Sequence, residues 1–139
     1  IIDETDNADY FMYKFNISKK DQIRLKNIHE FYKEKITSKT FLKENLNKIF
    51  YFKGKETLID ILSFRIFKLK KLDNNLIELI KFYKDMIKPI MPIKADNLMA
   101  KYKIPEGKVL GDKLRMIEKE WVNNNFKISD QQVENIINN

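Results

Sequence analysis

Residues 105 to 126 read PEGKVLGDKLRMIEKEWVNNNF and indicate the fold class of the chain. The Pro-Glu-Gly triplet predicts a turn, and the three consecutive asparagines predict the end of the helix that follows it. Between these signals, apolar residues recur three and four positions apart, which predicts an amphipathic helix over about residues 108–122. The expected buried stripe of this helix consists of Val109, Leu110, Leu114, Ile117 and Trp121.

Similar signals occur along the rest of the chain. Capping boxes at Ser18 with Asp21 and at Ser129 with Gln132 predict two helix starts, and Gly54 predicts a helix end. No stretch alternates apolar and polar residues for long enough to predict a strand. The sequence therefore predicts an all-α fold of six or seven helices with short loops, covering about residues 18–36, 41–52, 56–72, 76–88, 96–101, 108–122 and 130–137. In the fourth of these, the residues expected on one face are Leu76, Ile80, Tyr83 and Ile87.

The sequence suggests three segments. Residues 1–16, acidic and then aromatic, are interpreted as the end of a preceding element, residues 17–92 as a helical body and residues 93–139 as a helical tail. Pro89 and Pro92 keep the link between body and tail extended. The start at isoleucine suggests a piece of a longer protein.

The composition excludes several kinds of chemistry. There is no cysteine, and the single histidine, His29, cannot form a multi-histidine metal site. The three glycines are isolated, so no glycine-rich loop can hold a phosphate. Glu118 and Glu120 should diverge on their helix rather than face one substrate. We therefore expect no catalytic residue and no metal site in this chain, and no apolar run is long enough to span a bilayer.

Positive charge is concentrated in the middle of the chain. The net charge is +7, and residues 14–94 carry 20 Lys or Arg against nine Asp or Glu. A basic surface of this kind attracts polyanions, such as tRNA, other nucleic acids and anionic membranes. The same lysines could instead reflect A/T-rich codons, because the chain also contains 20 Ile and 14 Asn. The charge alone does not separate these two interpretations.

The second half of the chain carries a more specific pattern. It reads PIMPIKADNLM from Pro89 to Met99, then PEGKVLG from Pro105 to Gly111, then the Leu114 helix with Trp121 before Phe126. This pattern resembles the C-terminal region of bacterial CCA-adding tRNA nucleotidyltransferases and poly(A) polymerases. An upstream ISKKD sequence, residues 17–21, is similar to the start of an earlier helix in that family. The chain departs from the family pattern where Ala95 replaces a glycine and where a glycine expected near Tyr102 is absent. The family's aspartate aligns with Asn97 or, one residue off, with Asp96.

The resemblance implies a function for the chain as part of a cytoplasmic enzyme. The family's catalytic head, with its Mg²⁺-binding aspartates, and the neck that selects CTP or ATP would precede Ile1. This chain would be the helical body and tail, itself inactive, that positions the acceptor and T arms of tRNA for 3′-end addition. A poly(A) polymerase of the same superfamily is an alternative. A different alternative is a helical protein-interaction domain whose lysines are only compositional.

The resemblance and the charge distribution together suggest which residues contact RNA. The predicted contacts are Lys94, Lys101, Lys103, Lys108 and Lys113, followed by Arg65, Lys68, Lys70 and Lys71. The last four also suit the negative end of a helix dipole, which gives them a purely structural explanation. Gly107 and Gly111 are predicted to permit close backbone approach, at Gly111 by another helix, which we favour, or by a sugar-phosphate backbone. Trp121 and Phe126 are expected to be core anchors.

Overall fold

The computed structural model describes residues 13–139, and these residues form an all-helical fold. Seven α-helices and one short 3₁₀ helix follow one another with short connections. They are α1 (Lys19–Lys33), the 3₁₀ helix (Ser38–Phe41), α2 (Lys43–Lys53), α3 (Lys55–Leu69), α4 (Asn74–Asp85), α5 (Ala95–Tyr102), α6 (Lys108–Asn123) and α7 (Asp130–Asn138). The predicted all-α class is confirmed. The segment predicted over residues 1–16 lies largely outside the described residues.

Side-chain caps fix the starts of three helices. The Ser18 hydroxyl accepts a hydrogen bond from the Asp21 amide and begins α1. The Asp73 carboxylate accepts from two backbone amides at the start of α4. Ser129 and Gln132 bond to each other's backbone amides at the start of α7, as the capping-box pattern predicts. Each cap satisfies amides that have no partner within the helix.

The body, α1 to α4, is built around one hydrophobic cluster of Leu46, Phe50, Leu58, Leu62, Leu76 and Tyr83. Polar contacts between helices add to this packing. Arg24 of α1 donates two hydrogen bonds of 2.8 Å to the carboxylate of Asp60 in α3. The hydrogen bond and the negative charge of Asp60 raise the pKa of Arg24 above its usual range. The Tyr32 hydroxyl, also on α1, donates to the carbonyl oxygen of Ile61 at 2.8 Å.

The tail, α5 to α7, has a second and more aliphatic cluster, formed by Leu98, Leu110, Ile117 and Val133. An aromatic junction joins the tail to the body. Trp121 of α6 is 3% exposed and packs edge-on against Tyr51 of α2 and against Phe126. The prediction that Trp121 anchors the core is confirmed, and Phe126 is half-buried beside it.

Two hydrogen-bonded contacts reinforce this junction. The Tyr51 hydroxyl donates to Glu118 at 2.6 Å. The Tyr83 hydroxyl donates to the buried Asn47, which in turn donates to Asn125 after the end of α6. Burial raises the pKa of Tyr83 to about 12. Body and tail are therefore held together by side chains that are both packed and hydrogen-bonded.

The structure corrects the predicted ends of three body helices. Helices α1, α3 and α4 end at Lys33, Leu69 and Asp85, each three residues before the predicted position. Glu34 and Met86 leave the helix in extended backbone, and Lys70 takes the left-handed conformation. These ends lack the glycine that marks the end of α2 at Gly54.

Two residues predicted to lie on buried faces are exposed. Ile87 is 86% exposed because α4 ends before it, so it cannot continue the face formed by Leu76 and Tyr83. Val109 is 61% exposed because only Leu110 in that turn of α6 faces the tail cluster. The fully buried residues of α6 are Leu110, Ile117, Trp121 and Val122, and the predicted Leu114 is half-buried against the tail cluster.

Candidate nucleic-acid interface

The predicted RNA contacts of the body lie at the C-terminal end of α3, and we call Arg65, Lys68, Lys70 and Lys71 the body-end cations. Two of them lie over aromatic rings. The guanidinium of Arg65 lies 5.1 Å from the centre of the Phe41 ring, and the Lys68 ammonium lies 5.4 Å from that of Tyr32. Lys70 and Lys71 follow at the helix end, and both are exposed. Cation–π contact fixes the first two side chains without neutralising their charge.

Arg65 also lines a groove of about 460 Å³ between the 3₁₀ helix and α3. Thr37, Ser38 and Phe41 line the same groove, and so does the acidic Asp73. Arg65 has no hydrogen bond or ion pair with the described residues, so its guanidinium donors remain available. A planar donor group of this kind matches phosphate oxygens in geometry and charge.

The second group lies where α5 connects to α6, and we call Lys101, Lys103 and Lys108 the tail-end cations. Lys103 takes the left-handed conformation as α5 ends, and Lys108 opens α6. Between them, Gly107 has φ 144° and ψ −164°, a region open to glycine alone. The connection is thus a tight turn that carries lysines on both sides.

The other two lysines of the tail prediction do not join this group. Lys94 precedes α5 and lies at its opposite end, where its backbone amide donates to Asn97 at 3.1 Å. Lys113 is half-buried, and its ammonium donates to the carbonyl oxygen of Ile136 near the end of α7 at 2.7 Å. Lys113 therefore has a structural role in holding α7 against α6.

At Gly111 the structure contradicts the favoured prediction, close packing of another helix. A Cβ placed on this residue would meet no heavy atom within 4 Å apart from the backbone of its own helix. No helix packs closely there among the described residues, so helix packing does not explain the glycine. The alternative, approach of a sugar-phosphate backbone, stays a prediction.

Few of the nine predicted cations are neutralised by protein carboxylates. Among the described residues, only Lys101 makes an ion pair, with Glu134 at 3.9 Å. Arg24 shows the opposite situation, since Asp21, Glu56 and Asp60 all lie within 4.0 Å of its guanidinium. The predicted contacts are thus mainly cations whose charge is directed to solvent.

The two groups lie far from the junction between body and tail. Helix α3 begins at Lys55, four residues after Tyr51 of the junction. Lys70, at the other end of α3, lies about 22 Å from Lys55 at 1.5 Å per residue. Lys108 likewise lies about 20 Å along α6 from Trp121.

The sequence prediction missed the aromatic part of the body end. Phe67 is 76% exposed, and its ring stacks on that of Phe64 with 6.0 Å between centres. A signal was present in the sequence, because Phe67 falls outside the apolar stripe of Leu58, Ile61, Leu62, Ile66 and Leu69.

Metal sites and membrane spans are the other features that bear on function. Residues 13–139 contain no group of three His, Asp or Glu side chains placed to hold a metal ion. None of their helices has the length and apolar character needed to cross a membrane. Glu118 and Glu120 diverge as predicted, since Glu118 accepts from Tyr51 and Glu120 accepts from Asn124 and Gln132.

Comparison with known proteins gives no relative. No family model, no curated protein and no solved structure matches this chain.

Proposed function

We propose that this chain is the tRNA-binding C-terminal part of a CCA-adding tRNA nucleotidyltransferase. It would hold the acceptor and T arms of tRNA while a separate head adds cytidine and adenosine from CTP and ATP. The observation that carries the proposal is the placement of the cations. Two groups of lysine and arginine lie away from the junction, one at the end of α3 and one at the start of α6. Only one of these cations, Lys101, makes an ion pair with a carboxylate of the described residues.

The number of these cations favours a polyanion with many phosphates over a small anion. A free nucleotide carries only a few phosphates, whereas an RNA helix presents one at every residue of both strands. The narrow major groove of A-form RNA hides base edges, so such a helix is recognised by its shape and its phosphates. Lysines serve this purpose because phosphate contacts position the ligand without reading its sequence.

Catalysis belongs to the head in this proposal. Mg²⁺-dependent nucleotidyl transfer needs clustered carboxylates, and the described residues contain no such cluster. The resemblance therefore assigns Mg²⁺, CTP and ATP to the head, and assigns the parent enzyme to the cytoplasm. A poly(A) polymerase parent would use the same body and tail.

The direct test is titration of the chain into labelled tRNA at about 50 and 200 mM salt, with duplex DNA as competitor. Six or more phosphate contacts would weaken binding by about 10³-fold or more between these salt concentrations. We expect saturable tRNA binding that survives excess DNA. Binding that DNA removes equally well, from a folded sample, would contradict the proposal.

A pair of variants locates the RNA-binding surface. The double variant Lys103→Gln/Lys108→Gln should make the fall of log affinity with log salt shallower, by about 2 in slope, because each removed lysine leaves one phosphate without its cation. The matched control, Lys26→Gln with Lys81→Gln, removes the same charge from two exposed lysines of the body. Equal effects of both pairs would show that only net charge matters, as the compositional interpretation requires.

One observation favours a second candidate, a protein-interaction domain. Ile87 and Ile90 lie on either side of Pro89 and are both almost fully exposed. A protein partner that covers them would predict tRNA affinity no greater than that for other polyanions. The DNA competition therefore separates the two functions.

A further inference from the structure

Phe67, near the end of α3, is an exposed aromatic side chain in a basic stretch of the chain. Three quarters of its surface meets solvent. Exposed phenyl rings are common singly, but this one lies beside Lys68 and close in sequence to Lys70 and Lys71. From Ile61 to Leu72 the chain has no acidic residue. The ring therefore belongs to a surface that is both aromatic and strongly basic.

The ring is supported on its inner side by other aromatic residues. Phe64 stacks against Phe67 with 30° between the ring planes. Tyr32 in turn packs edge-on against Phe64 at 5.0 Å, and its hydroxyl is fixed to the carbonyl oxygen of Ile61. Phe67 is thus the outermost ring of a fixed series, and its exposed side is free to accept another planar group.

The charges around this ring favour one class of planar group. Lys68, Lys70 and Lys71 make no ion pair with the described residues, and the nearest carboxylate in sequence, Asp73, accepts the amides that begin α4. A nucleobase supplies a planar face, and the phosphates on either side of it supply the negative charge. Aromatic rings combined with cations are the usual means of holding single-stranded nucleic acid.

We propose that Phe67 stacks on an unpaired nucleobase of RNA while Lys68, Lys70 and Lys71 contact the flanking phosphates. This inference rests on the proposed function for the identity of the RNA, and it adds that one contacted position is single-stranded. Bases inside a duplex are stacked on both sides and cannot use the ring. The body end therefore selects an unpaired nucleotide, and the tail end contacts phosphates alone.

The test compares two RNAs of equal length, a 12-nucleotide single strand and a 12-base-pair duplex, with tRNA as a third ligand. Phe67→Leu keeps the apolar bulk and the helix but removes the ring. We expect this variant to bind the single strand roughly 5- to 100-fold more weakly and the duplex unchanged. Phe52→Leu is the matched control, since Phe52 is also exposed and also precedes a lysine.

A spectroscopic readout accompanies the affinities. Phe67→Trp should retain single-strand binding, and its fluorescence should be quenched when a base stacks on it. The single native tryptophan, Trp121, is buried in the junction and supplies a constant background.

Several results would overturn the inference. Unchanged single-strand affinity in Phe67→Leu would do so, as would equally weakened binding of both RNAs. A change in self-association of this variant would show that the ring contacts a second copy instead. If the chain binds tRNA but not the single strand, the stacking inference fails and the proposed function stands. If it binds the single strand but prefers no tRNA, the proposed function fails and the stacking inference stands.

Discussion

The body and the tail present their positive charge in different ways, although both are small helical units. At the body end, cations alternate with aromatic rings, with Arg65 over Phe41 and Lys68 over Tyr32. At the tail end, Lys101 lies over the ring of Tyr102 in the same way, at 5.2 Å, and Lys103 and Lys108 lie beside a glycine turn. The exposed ring of Phe67, however, has no counterpart among the described residues beside the tail-end cations. The first arrangement suits a ligand with flat faces and charges, and the second suits charges alone. One polyanion could therefore be contacted in two chemically distinct ways.

The interiors differ in a similar way. The body cluster contains Tyr83 and Phe50, and a buried hydrogen bond joins Tyr83 to Asn47. The buried cluster of the tail is entirely aliphatic. A polar bond inside a core demands one arrangement of its partners, because an unpaired buried group is costly. The body should therefore lose more stability from a change of one polar atom, and the tail from a change in backbone or volume.

The largest effect is expected where the two regions meet. Trp121→Ala removes the ring that packs on Tyr51 and Phe126, and should lower the free energy of unfolding by about 3–5 kcal/mol. Urea unfolding followed by far-UV circular dichroism measures this change. Met116→Ala, an exposed change in the same helix, should alter it by less than about 0.5 kcal/mol. If part of the circular-dichroism change of Trp121→Ala kept the urea midpoint of the wild type, body and tail would unfold independently.

The turn of the tail end should be the next most sensitive position. Gly107→Ala forces a side chain into a backbone conformation that only glycine adopts, at a cost of about 1–3 kcal/mol. Gly54→Ala, with φ 95° between α2 and α3, applies the same kind of strain to the body. Thermal unfolding should show lower stability for both variants. A neutral Gly107→Ala would mean that the α5–α6 turn can adopt another conformation.

The buried phenol of the body gives a pH-dependent prediction. Tyr83→Phe should cost about 1–2 kcal/mol at pH 8, because Asn47 loses its donor inside the core. Burial raises the pKa of Tyr83 to about 12, above the value of about 10 for an unfolded chain. The unfolded state therefore releases this proton first, and the contribution of the phenol to stability is lost as the pH rises from about 10 to 12.

Urea titrations across this pH range should show the difference between wild type and Tyr83→Phe shrinking as the pH rises. The solvent-exposed Tyr13 offers the control Tyr13→Phe, which removes a phenol outside the core. A difference that stays constant to pH 12 would contradict the assignment of the high pKa to Tyr83.

Sequence patterns predicted the tail more accurately than the body, for an identifiable reason. The bounds of α5, α6 and α7 were predicted to within one residue, since Gly107 and Ser129 mark two of the starts. In the body, Lys33, Leu69 and Asp85 end their helices without a glycine, so the sequence gives no clear mark of these ends. Proline at position 89 correctly excluded a helix there but did not show that α4 ends four residues earlier.

The candidate interface shows the same limit. Charge and resemblance predicted which cations to consider, because charge is visible in the sequence. They did not predict that Lys113 is bound to the carbonyl of Ile136, or that Phe41 and Tyr32 lie under Arg65 and Lys68. Those contacts join residues far apart in the chain, so they depend on how the helices pack.

The smallest effect, and the only stabilising one, is expected at Gly111. It is helical and has open space where a Cβ would lie, so Gly111→Ala should stabilise the tail by up to about 1 kcal/mol. If a sugar-phosphate backbone approaches this turn of α6, the same methyl group should weaken tRNA binding several-fold. Stability from urea unfolding and affinity from tRNA titration would then change in opposite directions. A more stable variant with unchanged tRNA affinity would exclude this turn of α6 from the RNA-binding surface.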